Sequence, residues 1–158
     1  MDKLLQEVIS EAKALDIPVS NRIHSKVIVN SRAIRRFGCC ISRNDEFVIE
    51  ISSKLLDASE QACKQTLAHE VLHTCPGCKN HGSRWKQYAQ RMNFAYGYKI
   101  SRASTHEALG IEDTAQPRYL LRCQNCGAEI KRMRRSKLID HPDRYRCKCG
   151  GKLILHFI

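Results

Sequence analysis

Leu67-Ala68-His69-Glu70-Val71-Leu72-His73-Thr74 is the stretch that most restricts what this chain can become. On a helix, residues four apart share a face, so His69 and His73 aim two imidazoles at one point. Glu70 sits one residue round, able to hold a water on the same metal without being a ligand. Two helical histidines, an adjacent carboxylate and a third ligand from elsewhere are the arrangement of a catalytic zinc site. The plainer alternative is an amphipathic helix with two unrelated histidines. His81 is the expected third ligand, because a break at Pro76-Gly77 lets the chain turn back towards the helix. Three neutral imidazoles leave a fourth position open for water. Glu107 and Glu112 are the rival third ligands.

The surrounding pattern places this helix in a mixed fold. Leu4, Leu5, Val8, Ile9, Ala12 and Leu15 recur at helical spacing and predict a helix over 2–15. Residues 27–29, 34–41 and 47–51 are short and β-branched, with turn residues at Asn30-Ser31 and at 43–46. They predict a three-stranded antiparallel meander. Asp57-Ala58-Ser59-Glu60 reads as the cap that opens the metal helix, and Cys63, Leu67 and Val71 as its core face. A further helix is expected over 83–96, with Trp85, Tyr88, Ala89 and Met92 buried and Gly97 as its stop. Residues 99–117 read as a polar linker carrying a short helix near 105–109.

Nine cysteines, an odd number with no export signal read at the N-terminus, favour metal binding over disulfides. Cys123 with Cys126 and Cys147 with Cys149 form two knuckles, each followed by glycine, and predict a zinc ribbon with a structural zinc. The second knuckle has a one-residue spacer, so His141 or His156 could replace a cysteine. So short a module buries little core, and the metal should supply most of its stability. Cys75-Pro76-Gly77-Cys78 reads as a turn ending the metal helix, with a second metal or a redox disulfide as alternatives.

Charge is unevenly spread. Residues 1–117 hold 16 basic and 13 acidic side chains, and residues 118–158 hold 11 and three. A tail of +8 suits a polyanion. Lys131, Arg132, Arg134, Arg135 and Lys137 are the expected nucleic-acid contacts, with Tyr119 and Tyr145 available to stack on bases. A solvated charged face is the alternative. No stretch approaches the roughly 20 apolar residues a bilayer span needs. No membrane partner is expected, and the expected location is cytoplasmic and nucleoid-associated, or nuclear in a nucleated cell.

Taken with these, Arg36-Phe37-Gly38-Cys39, Ile49-Glu50-Ile51-Ser52, Asn80-His81-Gly82-x-x-Trp85 and a closing Cys149-Gly150-Gly151-Lys152-Leu153 make most of the chain resemble the SprT-like zinc metalloproteases. The resemblance implies an α+β fold: a zincin-like metalloprotease domain over 1–98, with a leading helix, the meander and the metal helices. A linker over 99–117 and a small β zinc ribbon over 118–158 follow. It implies two zinc ions, one catalytic and one structural, with His69, His73 and His81 as ligands of the first and Glu70 as base. It also implies proteolysis of DNA-bound proteins, DNA–protein crosslinks included; the expected partner is DNA with single-stranded character. One departure stands out: the family ribbon usually reads Cys-x-x-Cys at both ends. Tyr88, Arg91, Tyr96 and Tyr98 are candidate oxyanion donors, and a free sheet edge is the expected seat for substrate. Two competing readings are a non-catalytic nucleic-acid adaptor and a zinc hydrolase of small peptides or other amides.

Overall fold

The computed structural model describes residues 1–33, 35–44, 46–111 and 116–157. Ile34, Asp45 and Glu112, which enter the strand, turn and rival-ligand expectations, lie outside the described residues. The chain is α+β and divides into two units, Met1–Asp113 and Thr114–Ile158. Among the described residues, no helix is long and apolar enough to cross a membrane.

The first unit is built around α2 (Glu60–Leu72). Its N-cap is Ser59, whose hydroxyl accepts from the Ala62 amide. The helix thus opens two residues later than the Asp57 cap predicts, because a turn of 3-10 helix at Ser53–Leu55 absorbs the approach. α2 is buried on most sides, with Leu67, Ala68, Val71 and Leu72 at 0% exposure. It packs against α1 (Asp2–Ala14), α3 (Ser83–Tyr96) and the strands β2 (Gly38–Arg43) and β3 (Glu46–Ser52). Lys64 of α2 reaches Glu7 and Glu11 of α1 at 2.8 and 3.2 Å. On α3, Trp85, Ala89 and Met92 are buried and Tyr88 half-buried, the stripe expected from sequence. Gly97 ends that helix at φ 66°, a left-handed conformation that favours glycine.

The sheet is not the antiparallel meander that the strand spacing predicts. Its order is β1-β3-β2. β2 and β3 form an antiparallel pair, but β1 (Ile28–Asn30) lies parallel to β3. The reason lies between β1 and β2. Asn30 does not open a hairpin: its side-chain oxygen accepts from the Arg32 amide and its nitrogen donates to Glu50. Arg36 also binds Glu50, the Ser52 hydroxyl donates to Ala33 O, and the Ser52 amide donates to Phe37 O. These bonds tie residues 30, 32, 33, 36 and 37 to the end of β3, and β2 pairs on its far side as an edge strand.

Residues 99–111, part of the 99–117 stretch read from sequence as linker, belong to this unit. Ile100 and Leu109 are 7% and 3% exposed and join its core. The short helix α4 (His106–Leu109) is capped by the Thr105 hydroxyl.

The second unit is a small antiparallel sheet of order β5-β4-β6, formed by β4 (Tyr119–Cys123), β5 (Glu129–Arg132) and β6 (Leu153–Phe157). A single turn, α5 (Lys137–Asp140), follows β5. Only Leu121, Cys123, Ile139 and Leu153 form its buried cluster among the described residues.

Candidate active site and metal centres

α2 carries His69 and Glu70, and His73 is its C-cap residue. The chain then turns through Cys75-Pro76-Gly77-Cys78, with Gly77 at φ 75° and the Cys78 amide donating to Cys75 O at 3.0 Å. Arg84 braces this turn by donating to Pro76 O at 3.1 Å. The turn returns His81 to the helix just before α3. His81 Nε2 lies 2.9 Å from His69 Nε2, which is 3.4 Å from His73 Nε2. All the ligand atoms of the three lie within 4.8 Å of one another.

These separations fit one metal. Three neutral imidazoles cannot all bond to each other, whereas nitrogens about 2.0–2.1 Å from one tetrahedral zinc are roughly 3.3 Å apart. The outer contacts orient the rings for this. His73 Nδ1–H donates to Cys78 O at 2.7 Å, which leaves the Nε2 lone pair facing inwards. His69 is hydrogen-bonded to the Ser101 main chain. Trp85 packs against all three rings, with centroids 4.8, 5.7 and 4.5 Å from those of His69, His73 and His81. Burial, and then the charges of His73 and His81, bring His69 down to about 4 and hold it neutral, as a ligand must be.

Cys75-Pro76-Gly77-Cys78 therefore has a structural use: it supplies the carbonyl that fixes His73. Both thiols are buried, and burial pushes Cys75 up to about 12.

Glu70 is 7% exposed and shares an open cleft of about 480 Å³ with the three histidines, Gly38, Cys39 and Cys40. Burial pushes its carboxyl up to about 7, against the opposing pull of the Cys40 main-chain N–H and the Arg36 charge. Gly38 is what makes room for it. A Cβ there would lie 2.6 Å from Glu70 Oε1 and 2.7 Å from Cγ. Gly38 and the Cys40 amide are site groups that sequence reasoning missed; the quoted Arg36-Phe37-Gly38-Cys39 run was the available signal.

Three of the candidate oxyanion donors are engaged elsewhere. Arg91 donates to Leu15 O, Tyr96 to Glu11 O and Tyr98 to the Glu11 carboxylate, while Tyr88 packs on the core. Arg91, Tyr96 and Tyr98 are thus spent on structure. Glu107 is exposed on α4 and stands outside the histidine cluster.

In the second unit, Cys123, Cys126, Cys147 and Cys149 converge, with ligand atoms within 4.8 Å of one another. Cys123 Sγ is 3.5 Å from Cys149 Sγ, and Cys126 Sγ is 3.6 Å from Cys147 Sγ. Sulfurs about 2.3 Å from a tetrahedral zinc are roughly 3.8 Å apart, so this set also fits. The one-residue spacer is accommodated by Gly150 at φ 82°, whose amide bonds Cys147 O at 2.8 Å. Gly151 lets the sulfurs close: a Cβ there would sit 2.6 Å from Cys123 Sγ. The Cys126 and Asn125 main-chain N–H groups bring the Cys123 thiol down to about 6, towards the thiolate a metal requires. His141 and His156 stand outside the cluster.

Lys131 and Arg132 lie on β5, Arg134 and Arg135 follow it, and Lys137 opens α5; all five are exposed. Arg135 is paired with Asp140. Tyr145 is 39% exposed, while Tyr119 packs on the small core.

Residues 5–106 match the model of the SprT-like family. A search of curated proteins gave no match.

Proposed function

The chain belongs to the SprT-like family, which makes its first unit a zinc metalloprotease-like domain, and from that premise we propose that it is a zinc-dependent endopeptidase acting on DNA-associated proteins. Crosslinks of protein to DNA are included, with the basic second unit binding DNA. One observation carries the catalytic part: three imidazole nitrogens converge beside a buried carboxyl in an open cleft. In this reading His69, His73 and His81 hold the catalytic zinc, and Cys123, Cys126, Cys147 and Cys149 hold a structural one.

When bound, the catalytic zinc supplies a Lewis acid that lowers the pKa of water and polarises a carbonyl. Glu70 accepts the proton of the attacking water on its carboxylate and later returns it to the leaving amine. The Cys40 amide steadies that carboxylate, and Gly38 leaves it space. β2 is both an edge of the sheet and a wall of the cleft. An extended polypeptide can add to it through main-chain hydrogen bonds, which makes recognition nearly independent of side chains.

The DNA part rests on charge. The excess of +8 over residues 118–158 and the exposed run from Lys131 to Lys137 favour phosphate contacts, which are sequence-blind and salt-dependent. The test uses the full chain with an unfolded DNA-binding protein, with and without single-stranded DNA. Fragments should appear, and DNA should increase them. Replacing Arg132, Arg134 and Arg135 with Ala should remove the stimulation and lower the log–log salt slope of DNA binding by about two. An unchanged slope would mean a merely solvated face. DNA binding without any fragments would favour a non-catalytic adaptor.

A further inference from the structure

A second cavity of about 220 Å³ adjoins the cleft and shares Gly38, His69 and Glu70 with it. Its walls bring together Arg35 and Arg36 from the approach to β2 and Arg102 from the stretch before α4. Arg36 is committed to Glu50. Arg35 and Arg102 are exposed, and among the described residues neither pairs with a carboxylate. Among the described residues that line this cavity, Glu70 is the acidic one.

Building on the peptidase reading, we propose that Arg35 and Arg102 form an anion subsite that takes an acidic side chain of the polypeptide being cut. The position decides the kind of ligand. Because the cavity opens onto Glu70 and His69, whatever fills it is continuous with the chain whose bond lies over them. The volume suits one Asp or Glu side chain. A nucleic-acid phosphate would bring its sugar and base with it and would cover Glu70. Guanidinium groups are planar forks that bind carboxylates through paired hydrogen bonds, so two arginines at one cavity, without a carboxylate partner among the described residues, select charge and shape together. Main-chain pairing on β2 would then set the frame, and this subsite would choose the register.

The experiment uses the full zinc-loaded chain and quenched-fluorescence peptides that differ only in one Glu, Gln or Lys, walked across both sides of the cleaved bond. At one position, kcat/KM for Glu should exceed that for Gln by about tenfold, and Lys should be worse than Gln. The Arg35→Ala/Arg102→Ala variant should bring the Glu-to-Gln ratio close to one, and Arg102→Glu should reverse it in favour of Lys. Equal rates at every position, or a Glu preference undiminished in the double variant, would overturn the subsite. Anisotropy of the same peptides on the Glu70→Gln variant reads binding without cleavage. Tighter binding of the Glu peptide, lost with both arginines, would support the subsite even if no peptide were cut, so that failure would fall on the peptidase reading alone. Equal binding of the Glu and Gln peptides would overturn the subsite. Loss of single-stranded DNA binding in the double variant, with no Glu preference in the wild type, would assign these cations to phosphate instead.

Discussion

A chain carrying Glu70→Gln should keep the metal content of the wild type and hydrolyse an unfolded polypeptide about a thousandfold more slowly. The amide has nearly the shape of the carboxylate, so the histidine centre, which does not use Glu70, should load as before. It cannot accept the proton of the attacking water. Gly38→Ala approaches the same carboxyl from the sheet side. The new Cβ would stand 2.6 Å from Oε1 and 3.0 Å from Cδ, and Glu70 would have to move. Displacing a catalytic group by about 1 Å costs on the order of a hundredfold. Both variants should hold zinc, which atomic emission measures, while kcat/KM falls. A Glu70→Gln chain retaining a tenth of wild-type activity would remove Glu70 from the base's role.

Chelating the metal should unfold Thr114–Ile158 and leave Met1–Asp113 folded. The second unit buries only Leu121, Cys123, Ile139 and Leu153 in its described core, too little to offset the entropy of ordering its chain. A four-cysteine zinc contributes on the order of 10 kcal/mol to folding in modules of this kind. The first unit differs. Its core runs from Leu5 of α1 through α2 and α3 to Leu109, and Trp85 packs against the histidines. Amide hydrogen exchange should therefore show protection lost across β4, β5 and β6 and retained in α2. Protected amides in the zinc-free second unit would contradict this.

The parts of this arrangement written into local spacing were legible. His69 and His73 are fixed by one helical turn, His81 by a Pro-Gly break, and Gly97 by the chemistry of helix ends, whereas the start of α2 reads as Asp57 and lies at Ser59. What the sequence hid depends on partners far away in the chain. β-Branched residues in 27–29 and 47–51 mark strands but not their order, and Glu50 holds Asn30 and Arg36 in the order the structure shows. Residues 99–106 look like linker because their outward groups are polar. Yet the Ser101 main chain holds His69, and Arg102, Ala103 and Ser104 wall a cavity beside it. Gly38 reads as an ordinary strand glycine until Glu70 is placed against it.

The most direct test of a hydrolytic metal centre is cleavage of one unfolded protein followed by mass spectrometry as zinc is removed and restored. The account predicts fragments from the zinc-loaded chain, none after stripping, recovery on adding zinc back, and no recovery by His81→Ala under the same loading. Fragments from the fully stripped chain, or none from a chain with both centres filled, would contradict it.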